Sequence, residues 1–266
     1  MKITTTTLTF LLVFLAGQVW ADAVMLQPHR AVYSAKLHKM RATGNVATVD
    51  GTMIISLEKA CDGWIFAQQL SLDIGLSNAS AVRQEVRFAG WESLDGNSYR
   101  FASRQTTGGQ QSGFKGSARL GAGANPGQAK FAAPETKTIE LPVGTIFPIT
   151  HTKELIEAAR GGRRMDPRIV FEGSTVDGPQ QMTAFIGPVQ LPKPQAETAL
   201  GPLAMRPGWP VRMAVFPVGS QQAEPEFEVE VLQLDNGIAR KMVLDLGDFS
   251  LLLDLKIVKP IVNSGC

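Results

Sequence analysis

This sequence predicts an all-β fold made of one long antiparallel meander, and three observations carry the prediction. Apolar and polar residues alternate with period two over long stretches, Asp-Gly and Asn-Gly pairs fall between the apolar runs, and only the segment near residues 150–161 has helical spacing instead. The patterns amount to about a dozen strands, and a sheet of that length has to curl or close on itself to hide its edges.

The chain opens with MKITTTTLTFLLVFLAGQVWADA. Lys2, the apolar run from Leu8 to Ala16 and the small residues around Ala21 and Ala23 form the three-part pattern of a secretory signal peptide. Residues 1–21 are therefore expected to be removed, with cleavage near 21–23, leaving residues 24–266 as a single domain with no internal repeat or boundary. The apolar run is shorter than the roughly 20 residues that cross a bilayer, and no later segment reads as a membrane-spanning helix. Removing Lys2 from the 26 basic side chains leaves 25 against 24 acidic ones, a net charge of +1. That balance argues against nucleic acid as a partner.

The first strand pattern is RAVYSAKLHK, in which Ala31, Tyr33, Ala35 and Leu37 alternate with Val32, Ser34, Lys36 and His38. The pairs Asp50-Gly51, Asp62-Gly63, Asp95-Gly96, Asp177-Gly178 and Asn236-Gly237 read as turns, because these dipeptides tolerate the positive φ of tight hairpins. Residues 106–130 are rich in Gly, Gln and Ser and read as loop, with strand expected only around Phe114–Leu120. ITHTKELIEAARGG then places Leu155, Ile156 and Ala159 on one helical face, with Thr150 or Thr152 as cap and Gly161-Gly162 as the stop. Residues 187–210 carry many prolines and read as a surface connection, docked by Leu200, Leu203 and Met205. EFEVEVLQ and SLLLDLKIVK close the meander with the strictest alternation in the chain.

The two cysteines are Cys61, beside an Asp-Gly turn, and Cys266, the last residue. In an exported chain an even count of two allows one pairing, so a Cys61–Cys266 disulfide is the expectation, with two buried thiols as the alternative. Two isolated cysteines lack zinc-ligand spacing, and no metal or other cofactor is expected.

Catalytic motifs are absent: no nucleophile elbow surrounds a serine, and His29, His38 and His151 form no metal pair. His151, next to the helix, stands out among them but reads as structural. GAGANPG at 121–127 lacks the lysine and flanking elements of a phosphate loop. Asp62, Glu85, Glu92, Asp95 and Asp177 are the acidic residues from which a sugar-hydrolysing pair could be assembled. Arg160, Arg163, Arg164 and Arg168 form the one local charge concentration, either a solvated helix end or a contact for an anionic partner.

HRAVYSAKL, CDGW, GWESLDGNSYRF, LPVGTIFPITHTKELIEAARGG and the terminal cysteine together resemble the EipB-type cell-envelope integrity proteins of Gram-negative bacteria. The resemblance implies a periplasmic β-spiral, an incompletely closed barrel of about 12–14 strands with one helix near 150–161, and a disulfide between Cys61 and Cys266. It also implies no enzymatic activity. The function expected is therefore a non-catalytic periplasmic protein that supports envelope integrity by binding another envelope protein, or else a lipid or cell-wall polymer. The alternative is a carrier of a lipid or other apolar ligand inside a curled sheet.

Overall fold

The structure, a computed structural model, describes residues 23–40, 45–192 and 200–262. The expected signal peptide and Cys266 lie outside the described residues. The strands are β1 (His29–Met40), β2 (Val46–Lys59), β3 (Gly63–Leu76), β4 (Val82–Ser93), β5 (Ser98–Thr107), β6 (Gln110–Arg119), β7 (Gly127–Ala133), β8 (Lys137–Leu141) and β9 (Thr145–Ile146). The single helix among the described residues, α1 (Pro148–Arg160), follows, and then come β10 (Met165–Val170), β11 (Gln180–Ile186), β12 (Gly208–Pro217), β13 (Phe227–Leu234), β14 (Ala239–Asp245) and β15 (Phe249–Pro260).

All fifteen strands belong to one sheet, in the order β8-β7-β6-β5-β4-β3-β2-β1-β15-β14-β13-β12-β11-β10-β9. Its two edge strands, β8 and β9, are neighbours in sequence, joined only by residues 142–144. That link forces the sheet to roll up until its edges meet, giving a nearly closed barrel with an unsealed seam. Among the described residues only the β9–β10 pairing is parallel, and the other ladders are antiparallel, as a meander requires.

No backbone ladder joins β8 to β9 among the described residues, and the seam is closed mainly by packing. Tyr99, Phe101, Phe131, Phe147 and Phe171 are all buried and meet there. Tyr99 stacks on Phe147 at 5.1 Å, and Phe101 meets Phe131 and Phe171 edge-on at 5.1 and 5.5 Å. Phe171 N donates to Ile146 O at 3.0 Å, and Lys137 Nζ reaches across from β8 to Val176 O at 2.9 Å.

Several turn expectations hold: Asp62-Gly63, Asp95-Gly96 and Asn236-Gly237 join successive strands, and Asp177-Gly178 precedes β11. Asp50-Gly51 does not turn; it lies inside β2, opposite Lys36 and Ala35. Glycine is needed there because a Cβ would collide with the Ser71 carbonyl of β3. The stretch 106–130 is mostly strand, not loop. Gly108 and Gly109, at φ 55° and 86°, make a two-residue hairpin whose twist matches its strands, so the polar Gln-Ser-Gly run pairs with β5 throughout. In the proline-rich segment Leu200 and Leu203 pack on the core and Ala204 is buried, while Gly208–Pro210 already belong to β12.

The helix starts two residues before the expected position, with Pro148 in its first turn, where a missing N–H does no harm. It ends in a Schellman arrangement: Arg163 N donates to Ala158 O and Gly162 N to Ala159 O, with Gly162 at φ 76°. Ile149, Leu155, Ile156, Ala158 and Ala159 are buried against Leu57, Trp64, Trp209, Val211 and Val231. The helix thus fills the barrel interior at this end.

Candidate functional site

The cap of α1 comes from 57 residues away. Neither Thr150 nor Thr152 acts as the side-chain cap: the Thr152 hydroxyl donates to Pro148 O, and the N-cap position is Phe147. Instead the carboxylate of Glu92, on β4 and buried, accepts from Ile149 N at 2.7 Å, from Thr150 N at 2.9 Å and from the Thr150 hydroxyl at 2.5 Å. The negative charge sits at the positive end of the helix dipole. Burial lifts the Glu92 carboxyl above the usual range, against the pull of the Thr150 hydroxyl, the two backbone N–H groups and the Lys153 charge. Glu92 is a structural clasp between sheet and helix.

His151 directly follows Thr150 and is buried, and its Nε2 has no hydrogen-bond partner among the described residues. Burial lowers its pKa from 6.5 to about 4; the Asp166 carboxylate opposes the shift and the Arg168 guanidinium reinforces it. The neutral imidazole is the native form. Stability tied to His151 is therefore complete above pH 6.5 and lost as pH falls through about 4. Relative to a His151→Leu variant, the wild-type chain should lose about 3 kcal/mol between pH 7 and pH 4 in urea denaturation series. A difference that stays constant with pH would contradict this assignment. The raised carboxyl of Glu92, which acts in the opposite direction, cancels in that comparison.

The arginine cluster is partly self-contained. Asp166, buried on β10, accepts from Arg163 Nη1 and Arg168 Nε, both at 3.0 Å, and Arg168 Nε also lies 3.2 Å from Glu154. Arg160 Nη2 donates to Asp235 O at 3.2 Å. Arg164 is exposed and lies outside the ion pairs of the described residues. Two of the four expected contact residues, Arg163 and Arg168, thus hold the β10 carboxylate in place.

Four of the five carboxylates considered for hydrolysis, Asp62, Glu85, Glu92 and Asp95, make local structural bonds. Asp62 accepts from Trp91 Nε1 at 3.3 Å, Glu85 pairs with Arg83 at 3.3 Å, and Asp95 closes its own turn through Ser93 and Asn97. No hydrogen bond among the described residues joins any two of these five. GAGANPG is the β6–β7 turn, where Asn125 donates twice to Ala122 O. His29 Nδ1 is held by Gln27 O at 2.7 Å, and His38 is exposed. No cluster that could hold a metal occurs among the described residues, and no described helix is long and apolar enough to cross a membrane.

Cys61 stands in the exposed turn between β2 and β3, and no free cysteine occurs among the described residues. Its expected partner lies outside them, but the register bears on the distance. Pro260 at the end of β15 pairs with His29, which pairs with Leu57. The end of the last strand is therefore about 10 Å, two strand spacings, from the strand that leads into Cys61.

The chemistry missed by sequence reasoning lies on the β1–β7 half of the sheet. Two adjoining concavities of about 1200 and 820 Å³ share Ala89, Ala102 and Lys115. The larger is also lined by Arg30, Arg87 and Arg104, and the smaller by Arg100 and Lys130; no carboxylate lines either. Arg100 lies over the Trp91 ring at 4.1 Å. These cations come from five strands and form no run, so only their position in the polar phase of each strand marked them.

The sequence model of a family described as EipB-like matches residues 20–261. The chain is 26% identical over 235 residues to the cell envelope integrity protein EipB of Brucella abortus (strain 2308), covering 87% of this chain and 83% of that protein. Among solved structures, a β-barrel-like protein of a domain of unknown function from Brucella abortus superposes with a TM-score of 0.83. Its sequence identity is 26%, over 90% of this chain and all of that one.

Proposed function

Because this chain belongs to the EipB-like family, we propose that it supports cell-envelope integrity from the periplasm, as a non-catalytic protein that binds another envelope protein. The observation that carries this reading is the packing of α1 and of the aromatic cluster inside the barrel. A carrier of an apolar ligand needs an empty apolar lumen. Here α1 occupies one end of the barrel and the aromatic cluster packs the seam, which supports binding through the outer surface. Glu92, Asp95 and Asp166 are engaged in capping, a turn and an ion pair, which supports a role without catalysis.

Export supports a disulfide that fastens the last strand to the Cys61 turn. The six residues beyond Pro260 reach at most about 20 Å, more than the separation that the register sets.

Crosslinking in intact periplasm followed by affinity purification tests the function. A specific partner protein, captured at the expense of lipid adducts in native mass spectrometry, is the expected result. A retained lipid with no captured protein would favour the carrier, and turnover of peptidoglycan fragments by the purified chain would make it an enzyme.

A further inference from the structure

β6 has an open edge. It pairs with β5 over its whole length, from Thr107↔Gln110 to Ser98↔Arg119, but with β7 only from Lys115 to Arg119. Gln110–Phe114 therefore presents one unpaired side, and Gln110, Gln111, Ser112 and Gly113 are exposed. In an antiparallel ladder every second residue turns its N–H and C=O outward, so this stretch is a template for another strand. The larger concavity opens at this notch, with Gln111, Gly113 and Phe114 on one side and Ala133 and Pro134 on the other.

We propose that an acidic, extended segment of a partner protein docks here, adding a strand to the open edge of β6 and setting its carboxylates against Arg87, Arg104 and Lys115. This rests on the reading of the chain as a protein-binding module, and names the surface and the chemistry of the partner. The register supplies the charge complementarity: Arg87 lies beside Arg104, and Arg104 beside Gly113. Gly113 has no side chain to screen Arg104, so a residue of the incoming strand placed opposite Gly113 meets the guanidinium across the gap. Arg104 and Lys115 form no ion pair among the described residues, and Arg87 makes only a 3.9 Å approach to Glu85. Neighbouring guanidinium groups repel one another until an anion lies between them. A lipid head group or a sugar acid could supply the anion, but not the in-register N–H and C=O groups that an open strand edge calls for.

Fluorescence anisotropy of a labelled octapeptide alternating Glu and Thr, titrated with the mature chain, tests the proposal. The peptide should bind, while its Lys/Thr counterpart should not. Methylating alternate backbone nitrogens of the peptide, or substituting Arg87→Glu with Arg104→Glu in the protein, should each weaken binding roughly tenfold or more. Thermal melts check that the double variant folds; if it does not, Arg87→Gln with Arg104→Gln replaces it. Undiminished binding to the charge variant or by the methylated peptide overturns strand addition. So does binding of phosphatidylglycerol vesicles with none of the peptide. A periplasmic partner still crosslinked to the charge variant would overturn this site but leave the protein-binding function standing, whereas no crosslinked partner at all would overturn the function itself.

Discussion

Replacing Glu92 by Ala is expected to destabilise the protein by about 4 kcal/mol, because two helix N–H groups and a threonine hydroxyl lose their acceptor together. The Ile149 N bond is buried and the Thr150 bonds part-buried, and the N-cap residue Phe147 supplies no side-chain cap of its own. The Glu92→Gln variant should recover part of the loss. Its amide oxygen can keep the Thr150 bonds, but its NH₂ then faces Ile149 N, donor against donor. Urea denaturation of the three proteins checks the order wild type, Gln, Ala. If the Ala variant were as stable as wild type, the clasp between β4 and α1 would have no energetic role. The effect reaches further than the helix: α1 fills the barrel end, so its release should expose Trp64 and Trp209, read as a red shift in tryptophan emission.

If Cys61 and Cys266 are joined as proposed, loss of that bond should lower stability by up to about 5 kcal/mol, since the loop it would close is about 206 residues long. Changing Cys61, Cys266 or both to Ser should have similar effects, because each removes the same bond. The β signal in circular dichroism should remain, since the ladders do not depend on sulfur. Thermal melts of the three variants, with thiol titration of protein from the periplasm, decide the matter. Two free thiols in that protein would end the account of a fastened C-terminus, and a single mutant much less stable than the double would implicate a stray thiol instead.

Much of the architecture is legible in the amino-acid pattern alone. Alternation in EFEVEVLQ and SLLLDLKIVK corresponds to β13 and β15, and the helical spacing of Leu155, Ile156 and Ala159 to the buried face of α1. These signals are local: period two and period 3.6 are properties of consecutive residues. The dipeptide at Asp50-Gly51 misleads for the same reason, because the demand for glycine there comes from β3 across the ladder and not from a turn.

By itself, then, the sequence determined the strand-and-turn alphabet, the single helix and its glycine stop, and the absence of any local catalytic motif. The family's motifs added the spiral. Only the tertiary structure decided what caps α1, that Asp166 gathers Arg163 and Arg168, and that cations from β1, β4, β5, β6 and β7 line one acid-free surface. Each of these depends on residues that meet only when the sheet rolls up and brings β8 round to β9. Periodicity reports which way a side chain faces within its own strand. Which strand lies beside it is set by the register of the whole sheet, and that is a property no short stretch of sequence carries.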